Sequence, residues 1–171
     1  MPKRVVVDAN ILVKWFIPED RSEPAAALMN DHLHGVVTAV VPSYTILEFA
    51  NTLRKYVARK LLSKSDAVDA LKLLEKIEVE FTSTAFDFLR EALKYAIKKG
   101  VTVYDACYIL LARKYGVEMY TADEKLLRKL ADKERNLKQS KTIHPVILDK
   151  LNLNRTQLHF NRINTYSLAR T

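Results

Sequence analysis

Three aspartates and one glutamate stand where a carboxylate could do chemistry in this chain. The β-branched run Val5-Val6-Val7 stops at Asp8, followed by Ala9-Asn10. Asp123 comes shortly after a second strand-like run, Val117 to Tyr120, with Thr121 and Ala122 between. Asp105 lies in the first turn of a long apolar segment, Val101 to Ala112. Strands interrupted by helices imply an α/β sandwich with a mostly parallel sheet, and right-handed crossovers put the C-terminal strand ends along one edge. Ligands of open α/β sheets bind in the crevice beyond that edge. Asp8 and Asp123 both fall there, and Asp105 joins them if its helix aims its first turn the same way. Gathered carboxylates repel one another unless a cation neutralises them. Oxygen ligands without His or Cys select Mg²⁺ or Mn²⁺, and such an ion activates water and stabilises an in-line phosphoryl transfer. The chemistry these residue types favour is that of a metal-dependent nuclease.

Each acid also has a plain structural reading. Asp8 can cap the helix that follows it. Thr102 and Asp105 have the three-residue spacing of a capping box, as do Thr121 and Glu124, which leaves Asp123 as a first-turn acid favoured by the helix dipole. Ser63–Asp66 and Thr84–Asp87 repeat the pattern. Glu48 is the fourth acid. It falls in a helix opening at Ser43, roughly opposite the apolar stripe of Ile46, Phe49, Ala50, Leu53 and Val57, together with Asn51, Thr52 and Lys55. Periodicity alone makes Glu48 a solvated surface acid.

The remaining elements follow from the same punctuation. Helical patterns run from Ile11 to Ile17, from about Asp20 to His34-Gly35, from Ser63 to Ile77 and from Thr84 to Lys99, the last ending at Gly100. Val36–Val41 and Val79–Phe81 read as strands, and Thr142–Leu148, broken by Pro145, as a final edge strand. His32 and His34 sit two apart, so a helix points them to different faces; cations near a helix C-terminus account for them better than a metal pair. Cys107 lies in an apolar run and reads as a buried core thiol rather than a nucleophile.

At 171 residues, with 49% hydrophobic and 28% charged residues, the chain is long enough for one domain with a substantial core. No apolar run approaches the ~18 residues of a membrane span, and nothing at the N-terminus reads as a signal peptide. With a single cysteine, a cytoplasmic domain is expected. The net charge of +8 is uneven: residues 1–124 hold 17 basic and 17 acidic side chains, residues 125–171 hold 11 and 3. A basic end on a neutral body points to an anionic partner, nucleic acid first. Asn152 to Thr171 has no acid and four asparagines. Residues 149–171 are therefore expected to be a basic C-terminal extension, with disorder the leading reading and a nucleic-acid or partner-binding extension or a segment foreign to the domain as the alternatives. Three glycines and no Gly-x-Gly or Gly-Lys-Ser/Thr loop exclude a P-loop or dinucleotide enzyme.

Four local contexts resemble one family. Val-Val-Val-Asp8-Ala-Asn10, Pro-Ser-Tyr-Thr-Ile-Leu-Glu48-Phe-Ala-Asn, Tyr-Asp105-Ala and Tyr-Thr121-Ala-Asp123 occur in this order. Together they resemble the PIN-domain family, and within it VapC-type toxin ribonucleases. The resemblance implies a three-layer α/β/α PIN-like domain over residues 1–148 with a mostly parallel central sheet. It puts Asp8, Glu48, Asp105 and Asp123 in the family's acidic positions, so Glu48 would line the cleft instead of facing solvent. Asn10 and Thr121 match polar positions that help hold metal, water or substrate. The implied reaction is hydrolysis of single-stranded RNA with Mg²⁺ or Mn²⁺, leaving a 5′-phosphate and a 3′-hydroxyl. Basic residues on the rim, with Arg54, Lys55 and Lys125 as the candidates, would hold the RNA backbone, although each taken singly reads as a solvated surface charge. VapC-like proteins are typically homodimers blocked by a VapB-type antitoxin, whose basic side chain suits an acidic cleft. The family also contains stand-alone RNA-processing nucleases, and a non-catalytic nucleic-acid or partner-binding module on the same fold is the other reading. A phosphotransferase using Asp8 as covalent nucleophile would want a second aspartate at position 10, where this chain has Asn10.

Overall fold

A computed structural model describes residues 2–17, 23–130 and 132–139. Five strands form one sheet: β1 (Lys3–Val7), β2 (Val37–Pro42), β3 (Glu80–Thr82), β4 (Met119–Thr121) and β5 (Leu137–Gln139). Their spatial order is β3-β2-β1-β4-β5, and every pairing is parallel. The chain builds outward from β1 through β2 to β3, then returns to the other side of β1 for β4 and β5. The direction of winding reverses between β1 and β4, so the ligand crevice of such a sheet opens beyond their C-terminal ends.

The three valines of β1 show why the helices form two layers. Successive side chains of a strand point to opposite faces, and this strand is buried on both. Val5 and Val7 pack with α1 (Ala9–Phe16), α2 (Glu23–Leu33), α3 (Thr45–Ala58) and α4 (Lys64–Lys76). Val6 packs on the opposite side with α5 (Phe86–Lys99), α6 (Val103–Tyr115) and α7 (Glu124–Leu130). The α/β/α sandwich expected from the strand–helix alternation is present. Cys107 is buried in the second layer, as its apolar context required. Among the described residues no helix is long and apolar enough to cross a membrane.

Local signals account for several boundaries. Gly100 ends α5 in the left-handed region, with φ of 64°. His32 ties the last turn of α2 to the end of α4 through Nε2 and the Ile77 carbonyl at 2.7 Å, with its ring stacked on Trp15. Several expectations differ from what forms; α5 is capped at Ala85 with no side-chain bond, so the Thr84–Asp87 box is absent. The buried stripe of α3 is Thr45, Phe49 and Leu53, while Ile46 and Leu47 are exposed. The helix is rotated because the Thr45 hydroxyl finds a buried partner in Tyr108, which lets a polar residue go inside. Strand β5 has only three residues, too few to show a period, and is held by its ladder to β4 and by the Met119 amide donating to the Asn136 carbonyl at 2.7 Å. The expected strand at Thr142–Leu148 and the extension at 149–171 lie outside the described residues.

The segment joining α7 to β5 is anchored by a buried acid. Glu134 accepts from Arg113 Nη2 at 2.6 Å and Nε at 3.0 Å, and from the Tyr95 hydroxyl at 2.6 Å. Its side chain is 4% exposed and that of Arg113 45%. Removing one member of a buried ion pair leaves the other unpaired in a poorly solvated site. Arg113→Ala is therefore expected to lower the unfolding free energy by roughly 3 kcal/mol in urea titrations, with the far-ultraviolet spectrum unchanged.

Candidate active site

The apolar run of β1 delivers Asp8 to the edge where the sheet reverses direction. Its backbone is extended, at φ −82° and ψ 169°, and its Oδ1 accepts the Ile11 amide of α1 at 2.8 Å. Asp8 is thus a helix cap. Capping does not exclude a second role, because each carboxylate oxygen offers two lone pairs. The other oxygen, Oδ2, accepts from the hydroxyl of Thr121 at the end of β4. That hydroxyl in turn accepts the Asp123 amide at 3.0 Å. One buried threonine therefore joins the acids that follow β1 and β4.

Asp123 caps α7 itself, accepting the amides of Lys125 at 2.8 Å and Leu126 at 3.1 Å. The Thr121–Glu124 capping box expected from spacing does not form, because the Thr121 side chain is directed to Asp8 instead. The Thr102–Asp105 box does form. Asp105 donates its amide to Thr102 Oγ1 at 3.0 Å, and its Oδ2 accepts that hydroxyl at 2.7 Å.

Glu48 departs most from periodicity. It is half-buried, and its Oε2 accepts the hydroxyl of Tyr108 on α6 at 2.7 Å. Glu48 lies one turn from the buried Thr45, at the margin of the packed face of α3, and Tyr108 of α6 bonds both side chains there. Sequence reading missed Tyr108 and Thr45. Tyr108 lies three residues after Asp105 and Thr45 three before Glu48, each on the same helix face as its acid. The spacing was visible; the pairing of the two helices was not.

Electrostatics link the four carboxylates. Burial lifts Asp8 from the ordinary 3.8 to about 7, and the charges of Asp105 and Asp123 add to that rise, against the pull of the Thr121 and Ile11 donors. Burial also raises Glu48, opposed by the Tyr108 hydrogen bond and helped by the charge of Asp105. Asp8 feels two of the other acids and Glu48 feels one of the same two. No three of these groups stand in a ready coordination shell among the described residues. The donor set is nevertheless all carboxylate oxygen, which fits a hard divalent cation in kind; side-chain rotation would have to draw the groups together. Asn10 is exposed in the first turn of α1. Arg54, Lys55 and Lys125 are exposed, and Arg54 bonds Asn51 at 3.0 Å. Among the described residues no side chain of these four is hydrogen-bonded to the acids; Lys125 meets Asp123 only through its backbone amide.

The PIN domain family model matches residues 5–133. The chain belongs to the PIN domain family. This PIN domain is 36% identical over 129 residues to "Ribonuclease VapC3" of Pyrobaculum aerophilum, covering 74% of this chain and 94% of that protein. Its fold is similar to the crystal structure of PAE2754 from Pyrobaculum aerophilum, with a TM-score of 0.60 at 24% identity over 83% of this chain and 94% of the other. It is similar also to a toxin-antitoxin complex from Klebsiella pneumoniae, at a TM-score of 0.53 and 13% identity, over 80% of this chain and 97% of the other.

The position of Asp8 has a measurable consequence for the metal-free PIN domain. An acid raised by folding favours the folded state when protonated. That stabilisation is complete below the unfolded value near 3.8 and is lost as pH rises through about 7. Across this window it amounts to at most roughly 4 kcal/mol, at about 1.4 kcal/mol per pH unit. In EDTA, Asp8→Asn is therefore expected to gain stability relative to wild type between pH 5 and pH 8. Urea unfolding of both proteins at the two pH values measures it, and a pH-independent difference would contradict it.

Proposed function

We propose that this PIN domain is a Mg²⁺- or Mn²⁺-dependent endoribonuclease that hydrolyses phosphodiester bonds of single-stranded RNA, and that it is the toxin of a VapBC-type pair acting in the cytoplasm. The observation that carries the reading is Asp8, buried at the reversal point of a parallel sheet and tied through the Thr121 hydroxyl to the backbone of Asp123. The name of the relative VapC3 supports RNA as substrate, and the fold likeness to a toxin-antitoxin complex supports an antitoxin partner.

Asp8, Asp105 and Asp123 would hold one or two ions, with Glu48 as a further ligand or as the group that orients the attacking water. A bound divalent ion supplies Lewis acidity toward the phosphate and lowers the pKa of water. Thr121 holds Asp8 and the Asp123 backbone in one register, and Asn10 would contribute a polar contact at the rim. Arg54, Lys55 and Lys125 would neutralise the RNA backbone. Attack on phosphorus in line with the leaving 3′ oxygen leaves a 5′-phosphate and a 3′-hydroxyl. An antitoxin arginine would enter the same acidic cleft, because a carboxylate cluster is matched by a planar, permanently charged fork.

A second copy of the chain is assigned as a further partner. Phe86, Leu93 and Ile97, 81%, 50% and 75% exposed, lie seven and four residues apart and form an apolar stripe along α5. Ile97→Glu is expected to convert a sedimenting dimer to monomer; wild-type protein that sediments as a monomer would remove this assignment.

The activity is tested on a panel of single-stranded RNAs with Mg²⁺, Mn²⁺ or EDTA. Cleavage is expected to require the ion and to fall by about 100-fold or more in Asp8→Asn and Asp105→Asn, the scale of losing one preorganised charge-stabilising group. RNA binding without cutting would make the chain a binding module instead. Activity surviving both substitutions would place the site elsewhere.

A further inference from the structure

Two buried hydroxyls form a chain that ends on Glu48. Thr45 Oγ1 and the Tyr108 hydroxyl are 2.8 Å apart, and Tyr108 donates to Glu48 Oε2 at 2.7 Å. An ionised carboxylate has no proton to give, so the single Tyr108 proton is committed to Glu48. The Tyr108 oxygen must then accept from Thr45, and the order Thr45 to Tyr108 to Glu48 is fixed. Thr45 is 0% and Tyr108 2% exposed, so water does not compete for the link between them. The Tyr44 ring meets the Tyr108 ring edge-on at 5.8 Å, and the Tyr44 hydroxyl donates to the Tyr104 carbonyl at 3.1 Å, which limits the swing of the phenol.

Neither hydroxyl is required by the backbone. Thr45 and Tyr108 lie within α3 and α6, and the two could satisfy each other without recruiting a third group. Engaging Glu48 orders a flexible side chain that would otherwise be free to rotate. With Oε2 engaged by Tyr108, Oε1 is the oxygen available to a cation, on a carboxylate close enough to Asp105 to feel its charge.

We propose that Tyr108, itself oriented by Thr45, is a positioning residue that fixes the Glu48 carboxylate so that its second oxygen can bind the divalent ion of the proposed ribonuclease. The inference rests on the metal-dependent reading and deepens it. Partners standing behind a metal ligand typically change affinity or activity by about 10- to 100-fold when removed. Tyr108→Phe keeps the ring and Thr45→Val keeps the shape, so each deletes little more than one link of the chain.

The test is Mn²⁺ binding to the full chain, followed by the electron paramagnetic resonance signal of the free ion, for wild type, Glu48→Gln, Tyr108→Phe and Thr45→Val. Tyr108→Phe and Thr45→Val are expected to weaken Mn²⁺ binding about tenfold, approaching Glu48→Gln. At saturating Mn²⁺ the kcat for RNA is expected to fall with KM unchanged. Wild-type affinity in Tyr108→Phe beside weakened binding in Glu48→Gln would overturn the proposal, and so would unchanged affinity in all three. Should Tyr108→Phe fail to fold, Thr45→Val, which leaves both tyrosine and glutamate in place, decides. The ribonuclease reading fails separately, if wild type binds Mn²⁺ and cuts no RNA; the binding comparison keeps its meaning in that case.

Discussion

A carboxylate held at the end of the central strand constrains everything around it. Asp8 is 6% exposed and sits where three elements meet: β1, which it ends, α1, which it caps, and β4, which reaches it through Thr121. Burying a carboxylate is unfavourable unless donors compensate, and here two do. The other acids repeat the arrangement. Asp105 sits in the capping box of α6, Asp123 caps α7, and Glu48 lies in the first turn of α3. All four acids therefore stand at helix N-termini, where unsatisfied amides present partial positive charge. Four helix starts converge on one edge of the sheet and offset part of the repulsion that the carboxylates would otherwise feel.

This double use explains what could be read from the chain and what could not. The run Val5–Val7, the cap at Asp8, the Thr102–Asp105 box and the stop at Gly100 are local: each depends on residues within a few positions, so spacing suffices. Glu48 is different. Its environment is set by Tyr108, 60 residues away, and a helical wheel carries no information about what covers its polar side. Only the likeness of its surrounding residues to a known family pointed to the cleft. Thr121 shows a third situation: its spacing to Glu124 was real, yet a buried carboxylate across the sheet competed for the same hydroxyl and won. Strand β5 escaped because a three-residue ladder is decided by its neighbour, not by its own pattern.

The two helical layers communicate at the same edge. Helix α3 belongs to the layer packed on Val5 and Val7, and α6 to the layer packed on Val6. The bond between Thr45 and Tyr108 therefore reaches round the end of the sheet, where no strand separates the layers.

The placement of β4 beside β1 bears on when the carboxylate cluster is completed as well as on where. Thr121 and Asp8 are 113 residues apart in the chain, yet they share a hydrogen bond. A ribosome releases the N-terminal strand first and the strand that completes its neighbourhood long afterwards, on the order of ten seconds at bacterial elongation rates. During that interval the emerging polypeptide lacks Asp123, and for most of it Asp105 as well. Vectorial synthesis thus withholds the full set of four carboxylates until β4 and the start of α7 have been made.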